Sequence, residues 1–292
     1  MGKADLHLHT LYSDGYCDPH LLAKTAQEKG LEAISVTDHD SMNAYSELKE
    51  TCLELKLMLV PGAEMTALYS YLDPITEEPV QKEIHVLAYG LDPAREDVQR
   101  LMIRQRKARK DRIQAILDLL RTKGIELSME DILAESMKGN PGRPHIAKAL
   151  IRSRFATTVA DSFIRYIGNE HIKGIEKNYL SLEEMIPQIQ SLGGVTILAH
   201  PGALYTFTEL QKFIEMGLDG LETIHPSHPY AIQKQLSELA DARYLLHTGG
   251  SDFHGPIKAY EPWFGTVTLS MQRLTLLQNA ISRQGGVPYL SN

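Results

Sequence analysis

The chain has 292 residues, 43% hydrophobic and 23% charged, enough to bury a large core either as one α/β domain or as a domain with an insert. Its net charge of −7 argues against a protein that coats duplex nucleic acid through a generally basic surface, so an anionic substrate needs local cations or metal ions. Two cysteines, Cys17 and Cys52, with no secretory segment ahead of the first strand, read as reduced packing residues. No run reaches the length of a membrane span, and a cytoplasmic protein without a membrane partner is expected.

In chain order, short β-rich segments alternate with amphipathic ones, the pattern of a parallel-sheet α/β architecture. "ADLHLH" ends at His9, "EAISVTDHD" carries His39, "LMLVPGAEMTA" reaches Glu64 and "EIHVLAYG" carries His85. From about Asp92 to Asn178 the periodicity is helical throughout. Strand signals then return in "GVTILAHPG" with His200, "DGLETIHPSH" with His225 and His228, and "YLLHTGGSDFHG" with Asp252 and His254. Seven strands joined by crossover helices predict a parallel barrel over residues 1–91 and 179–292, with residues 92–178 as a helical insert. An insert leaving the end of a strand lies at the catalytic mouth and could form a cap.

Residues i and i+2 of a strand point to one face, so His7 and His9 aim two imidazoles at one point, which suits a divalent metal. Parallel barrels carry their reactive groups at the C-terminal strand ends, and here nearly every such end bears His, Asp or Glu. The basic run Arg104, Arg106, Lys107, Arg109, Lys110 and Arg112 reads mainly as a solvated helix face, with one or two side chains able to reach a phosphate. In "NPGRPHIAKAL", Arg143 and His145 stand near a helix start, where they either meet an anion or form a capping turn. There is no Gly-rich phosphate loop, no GxSxG elbow and no base-stacking aromatic motif, and Trp263 reads as a packing residue.

The segments "DLHLHTLYSDG", "VTDHDSMNA", "GAEMTA", "EIHVLAYG", "LAHPG" and "GSDFHG" resemble, in order, the metal-binding motifs of the polymerase and histidinol phosphatase (PHP) family. The resemblance implies a distorted (β/α)7 barrel holding two to three divalent ions. His7, His9, Glu64 and Asp252 would hold the first, Glu64, His85 and His200 the second, and Asp14, His39 and His254 the third. Mixed imidazole and carboxylate ligands suit Mn, Fe or Zn.

The insert with "GRPHIAKAL" resembles the subgroup of nucleoside 3',5'-bisphosphate phosphatases and 5'-to-3' exoribonucleases. This implies hydrolysis of a phosphate monoester of a small nucleotide by a metal-bridging hydroxide. Glu64, Asp252 and His254 would be catalytic, and Arg143, His145, His225 and His228 would meet the substrate. The alternatives are a phosphodiesterase acting on short RNA or a small cyclic phosphate, a histidinol phosphatase, and a metal-binding module without turnover. "LYSYLDPITEEPVQKE" is longer than the loop the family has between the positions of Glu64 and His85.

Overall fold

In β1 (Lys3–Leu8) every residue after Lys3 is buried, Asp5 and His7 as well as Ala4, Leu6 and Leu8, so the strand is covered on both faces. The computed structural model describes residues 2–73, 76–256 and 262–290. After β1, Asp18 caps α1 (Pro19–Glu28) by accepting the N–H groups of His20 and Leu21. β2 (Ala33–Val36), also buried throughout, and α2 (Tyr45–Glu54) lead to the short β3 (Met58–Leu59). Pro61 has no N–H to give a ladder and separates β3 from β4 (Gly62–Leu72), so the third predicted strand is in fact two.

β5 (Pro79–Tyr89) is followed by α3 (Glu96–Thr122), α4 (Met129–Glu135), α5 (Arg143–Arg152), α6 (Val159–Ser162) and a π-helical turn at Phe163–Ile167. The chain then alternates through α7 (Leu182–Ser191), β6 (Val195–Leu198), α8 (Phe207–Glu215), β7 (Gly220–Ile224), α9 (Tyr230–Ala242) and β8 (Leu246–Gly249), and ends with β9 (Leu269–Ser270) and α10 (Met271–Gln284). Serine or threonine three residues before glutamate opens α7 and α8 with reciprocal caps, Ser181 with Glu184 and Thr206 with Glu209. Among the described residues no helix is long and apolar enough to cross a membrane.

The strands form two sheets, in the orders β3-β2-β1-β9 and β4-β5-β6-β7-β8. Two isolated parallel bridges, Leu8 with Phe253 and His39 with Glu64, connect them. The all-parallel expectation fails at β5, which runs antiparallel to both β4 and β6. Parallel strands need a crossover of a dozen or more residues, and the chain between Leu72 and Pro79 is too short for one. The stretch read as a long loop is instead the outer half of a β4–β5 hairpin, paired from Gly62 opposite Tyr89 out to Leu72 opposite Pro79. His85 therefore lies within a strand, opposite Thr66, and not at a strand end.

One hydrophobic cluster joins the strands to α1, α2, α7 and α8, and another lies between β1, β6 and α10. A separate cluster containing Ile116, Leu120, Ile132, Ile146, Leu150 and Ile167 is confined to the helical stretch between β5 and α7. Cys17 and Cys52 are buried free thiols. Trp263, read as a packing residue, is 41% exposed.

The break at Pro61 is bridged by the buried hydroxyl of Tyr45. It accepts the N–H of Gly62 at 2.7 Å, and its proton faces the carbonyls of Val36 at 2.7 Å and Val60 at 3.0 Å. Tyr45→Phe preserves the packing and leaves that buried N–H without an acceptor. Chemical denaturation should show a loss of about 1–3 kcal/mol; an unchanged midpoint would mean that the hydroxyl does not hold the junction.

Candidate metal centre

β1 sends His7 and, just past its end, His9 to the same side, while Leu6 and Leu8 are buried in the hydrophobic clusters. Glu64, near the start of β4, receives them: its Oε2 lies 3.4 Å from His7 Nε2, 3.3 Å from His9 Nε2 and 3.1 Å from His39 Nδ1. Its Oε1 lies 2.8 Å from His85 Nδ1 and 2.9 Å from His200 Nε2. Asp252, at φ +51 in the left-handed region, faces His7 and His9 at 3.3 and 3.2 Å. Asp14 faces His39 at 3.8 Å and His254 at 3.4 Å. All nine residues proposed as ligands from the sequence thus meet in one polar cluster.

His7, His9 and Glu64 are buried, yet His7 Nε2, His9 Nε2, Asp14 Oδ1 and His39 Nδ1 make no hydrogen bond. Buried polar atoms without partners are costly. Here they converge in sets whose ligand atoms lie within 4.8 Å of one another: His9, Asp14, His39 and His254; His7, His9 and Asp252; and His39, Glu64 and His85. Divalent cations fit this donor set, since they satisfy the imidazole lone pairs and the carboxylates together. Burial opposes ionisation of Glu64, but the surrounding imidazoles of His39, His85 and His7 hold its carboxyl well below the usual range.

A second layer of carboxylates, absent from the sequence reading, supports the cluster. Glu222, buried in the middle of β7, takes His7 Nδ1 at 2.9 Å and the backbone N–H of His200 at 2.6 Å. A proton held on Nδ1 leaves the Nε2 lone pair of His7 turned into the cluster. Asp38 accepts the hydroxyl of Ser13 at 2.6 Å, and that oxygen lies 3.3 Å from His9 Nδ1, so His9 is oriented by a two-step relay. The sequence signal for Glu222 is an acidic residue inside an apolar strand, "GLETI". His7, Glu222 and His225 also lie close enough to share an ion.

The residues proposed to meet substrate divide. Arg143 opens α5, donates to Asn169 Oδ1 at 2.8 Å and lies over the ring of Phe163. It lines a cavity of about 180 Å³ together with Asp14, His39 and His85 of the cluster and with Arg109 and Arg112 of α3. His145 is buried and caps its own helix: Nδ1 accepts the N–H of Gly142 at 3.0 Å, and burial pushes its pKa down to about 4, which keeps it neutral. His225 accepts the N–H of Ser227 at Nδ1, so its proton sits on Nε2, 3.4 Å from Asp252.

His228 departs from expectation. Its Nε2 accepts the N–H of Gly202 at 2.9 Å and its Nδ1 lies 3.2 Å from the carbonyl of Thr223, so both ring nitrogens are engaged by backbone and the ring serves as a loop brace.

Part of the basic run also departs from its solvated reading. Arg109 is buried against Asp40, at 2.6 and 2.8 Å, and donates to Thr66 Oγ1 at 2.6 Å. Arg112 is buried against Glu83 of β5 at 2.6 Å, whose half-buried carboxyl is held at about 2 by Arg112 and Lys177 despite its burial. Arg104, Lys107 and Lys110 are exposed, as read.

Glu222 supplies a test of the second layer. Glu222→Gln should lower metal affinity by about 10- to 100-fold in competition with a chelator, and unchanged affinity would remove Glu222 from the support of His7.

Comparison with known proteins bears on this geometry. The chain is 28% identical to a 5'-3' exoribonuclease Rnm of Escherichia coli over 89% of this chain and 86% of that one. It is 27% identical to a phosphoribosyl 1,2-cyclic phosphate 1,2-diphosphodiesterase of Eggerthella lenta, over 86% and 94%, and 25% identical to a 3',5'-nucleoside bisphosphate phosphatase of Chromobacterium violaceum, over 88% of each. A solved structure from Bifidobacterium adolescentis, described as a metal-dependent phosphoesterase, is similar over 95% of this chain and 96% of its own, at 30% identity and a TM-score of 0.80. Residues 5–191, from the "DLHLH" strand to the end of α7, match the PHP domain model. Given that match over more than half its length, the protein belongs to the PHP domain family.

Proposed function

We propose that the protein is a metal-dependent phosphoesterase that removes a terminal phosphate from a small nucleotide, with a nucleoside 3',5'-bisphosphate as the type substrate. The observation that carries the reading is the cavity in which Arg109, Arg112 and Arg143 face Asp14, His39 and His85. Arg109 and Arg112 are paired with Asp40 and with Glu83, which also lines the cavity, so Arg143 beside the metal-fitting cluster is the cation that suits a phosphoryl group. At about 180 Å³ the cavity is smaller than the roughly 300–1,000 Å³ typical of small-molecule sites. Room for one phosphoryl group favours a terminal monoester over a threaded diester chain.

His7, His9, Glu64 and Asp252 would hold one ion, Glu64, His85 and His200 a second, and Asp14, His39 and His254 a third, each Mn, Fe or Zn. When bound, such ions supply water activated near neutral pH and polarise phosphoryl oxygens. Glu64, the carboxylate that faces the most imidazoles, holds the ligand set together, and Asp252 and His254 complete it from the segment after β8. Arg143, the arginine carried by the start of α5, binds the phosphate, while Arg109 and Arg112, paired with Asp40 and Glu83, hold α3 beside the site. The N–H of Ser227 on Nδ1 sets the tautomer of His225 and turns its Nε2–H toward Asp252, which it orients. His145 shapes the turn that presents Arg143.

The same reading treats residues 1–91 and 179–292 as a distorted (β/α)7 barrel and residues 92–178 as a cap. The two bridges between the sheets support the former, and the separate apolar cluster of the helical stretch supports the latter.

Three variants test the division of labour. Glu64→Gln keeps the shape but removes the charge, so metal content and turnover of a nucleoside 3',5'-bisphosphate should fall together; near-normal turnover would take Glu64 out of the site. Arg143→Ala should lower kcat/KM by about one to three orders of magnitude with metal content unchanged, and Arg143→Lys should restore only part, because an ammonium lacks the guanidinium fork. Equal loss of metal in Arg143→Ala would contradict a substrate role. Faster turnover of short oligoribonucleotides, cyclic phosphates or histidinol phosphate than of the bisphosphate would move the substrate assignment.

A further inference from the structure

A second and larger cavity, about 690 Å³, opens between α2, the first half of α3 and Leu290. Met42, Val98 and Met102 form a buried apolar floor, and Ile103 stands 57% exposed at its edge. Its volume falls within the roughly 300–1,000 Å³ of small-molecule sites, which the phosphoryl cavity does not reach.

Two cations, Arg106 and Lys49, border the floor. Arg109 and Arg112, three and six positions further along α3, are each neutralised by a carboxylate. Arg106 and Lys49 instead make no hydrogen bond and no ion pair among the described residues. Arg106 is half-buried; burial disfavours its charge, and the Asp40 carboxylate, already paired with Arg109, offsets this only in part. A partly desolvated guanidinium with no acceptor, beside an open apolar surface, lacks an anion that carries an apolar body. Asp92 is the single carboxylate in the lining, and it already accepts the N–H of Ala94.

We infer that this cavity is a second ligand site, for a nucleoside monophosphate group whose base lies on Met42, Val98 and Met102 and whose phosphate meets Arg106 and Lys49. The shape and charge call for an apolar ring system with an anionic group; the choice of a nucleotide rests on the proposed substrate class. The group arrives either as a free nucleotide or as a neighbouring residue of a short oligoribonucleotide. Tyr12 lines the cavity two residues before Asp14, and Met42 lines it three residues after His39. A ligand there therefore rests against two loops that also carry residues of the metal cluster.

The test is calorimetric titration of the metal-loaded protein with the non-hydrolysable methylenephosphonate analogue of AMP. Two sites are expected. Arg106→Ala should weaken one by about 10- to 100-fold, the loss of a charge-assisted contact, and Arg143→Ala should weaken the other. Ser46→Trp, placed on the exposed rim to fill the cavity, should abolish the same site as Arg106→Ala.

On a nucleoside 3',5'-bisphosphate with no added nucleotide, Arg106→Ala should keep its kcat/KM. If the occupant is a free nucleotide, the analogue changes the wild-type rate in a way that Arg106→Ala removes. If it is part of a chain, Arg106→Ala raises KM for a trinucleotide and not for the bisphosphate. A single site, or two sites both indifferent to Arg106→Ala and Ser46→Trp, would overturn the inference. Binding is read without turnover, so a protein that binds the analogue twice and hydrolyses no nucleotide would refute the proposed reaction and leave this site standing.

Discussion

The structure depends on one buried carboxylate. Glu64 sits at almost zero exposure with the nitrogens of five imidazoles, from His7, His9, His39, His85 and His200, between 2.8 and 3.4 Å from its two oxygens. Burying an ionised carboxylate is unfavourable unless positive charge compensates it. Neutral imidazoles alone leave lone pairs facing a negative oxygen, so the arrangement requires protons or metal ions between them. Mixed nitrogen and oxygen donors at this density suit divalent metal ions. The bridge from His39 to Glu64 and the antiparallel register that sets His85 beside β4 both serve to bring these groups to one point.

Around that point the fold invests in orientation. Glu222 and the Ser13–Asp38 relay hold the far nitrogens of His7 and His9, so each ring presents its other nitrogen inward. Asp40 follows His39 directly with φ +50, and its carboxylate is tied to the N–H of Thr66 at 2.8 Å and to Arg109. Helix α3 is thus fastened to the loop that carries His39, and Arg109 and Arg112 are positioned relative to the cluster by buried ion pairs.

Much of the cluster was legible in the sequence because its ligands follow apolar β-rich runs and side chains alternate along a strand. His7 and His9 sit two apart, and His39, His200 and Asp252 each lie just beyond a strand. The direction of β5 was not legible, since the period of two is the same in parallel and antiparallel strands; the short Leu72-to-Pro79 connection was the available clue. Glu222 was hidden because one charged letter in an apolar strand does not say which buried group it faces. Arg109 and Arg112 read as solvent-facing because their partners, Asp40 and Glu83, are distant in sequence. His228 shares the sequence context of His225, and only the backbone N–H of Gly202 distinguishes a loop brace from a ring that faces Asp252.

The central claim is that Glu64 is the shared ligand of a multinuclear metal centre. The most direct measurement is anomalous diffraction from crystals of protein purified without chelator, recorded at the absorption edges of Mn, Fe and Zn. The account predicts two or three separate anomalous peaks, at least two of them in contact with Glu64 and the remainder among Asp14, His39 and His254. A single peak that Glu64 does not touch, or none in protein that hydrolyses its substrate at full rate, would contradict it.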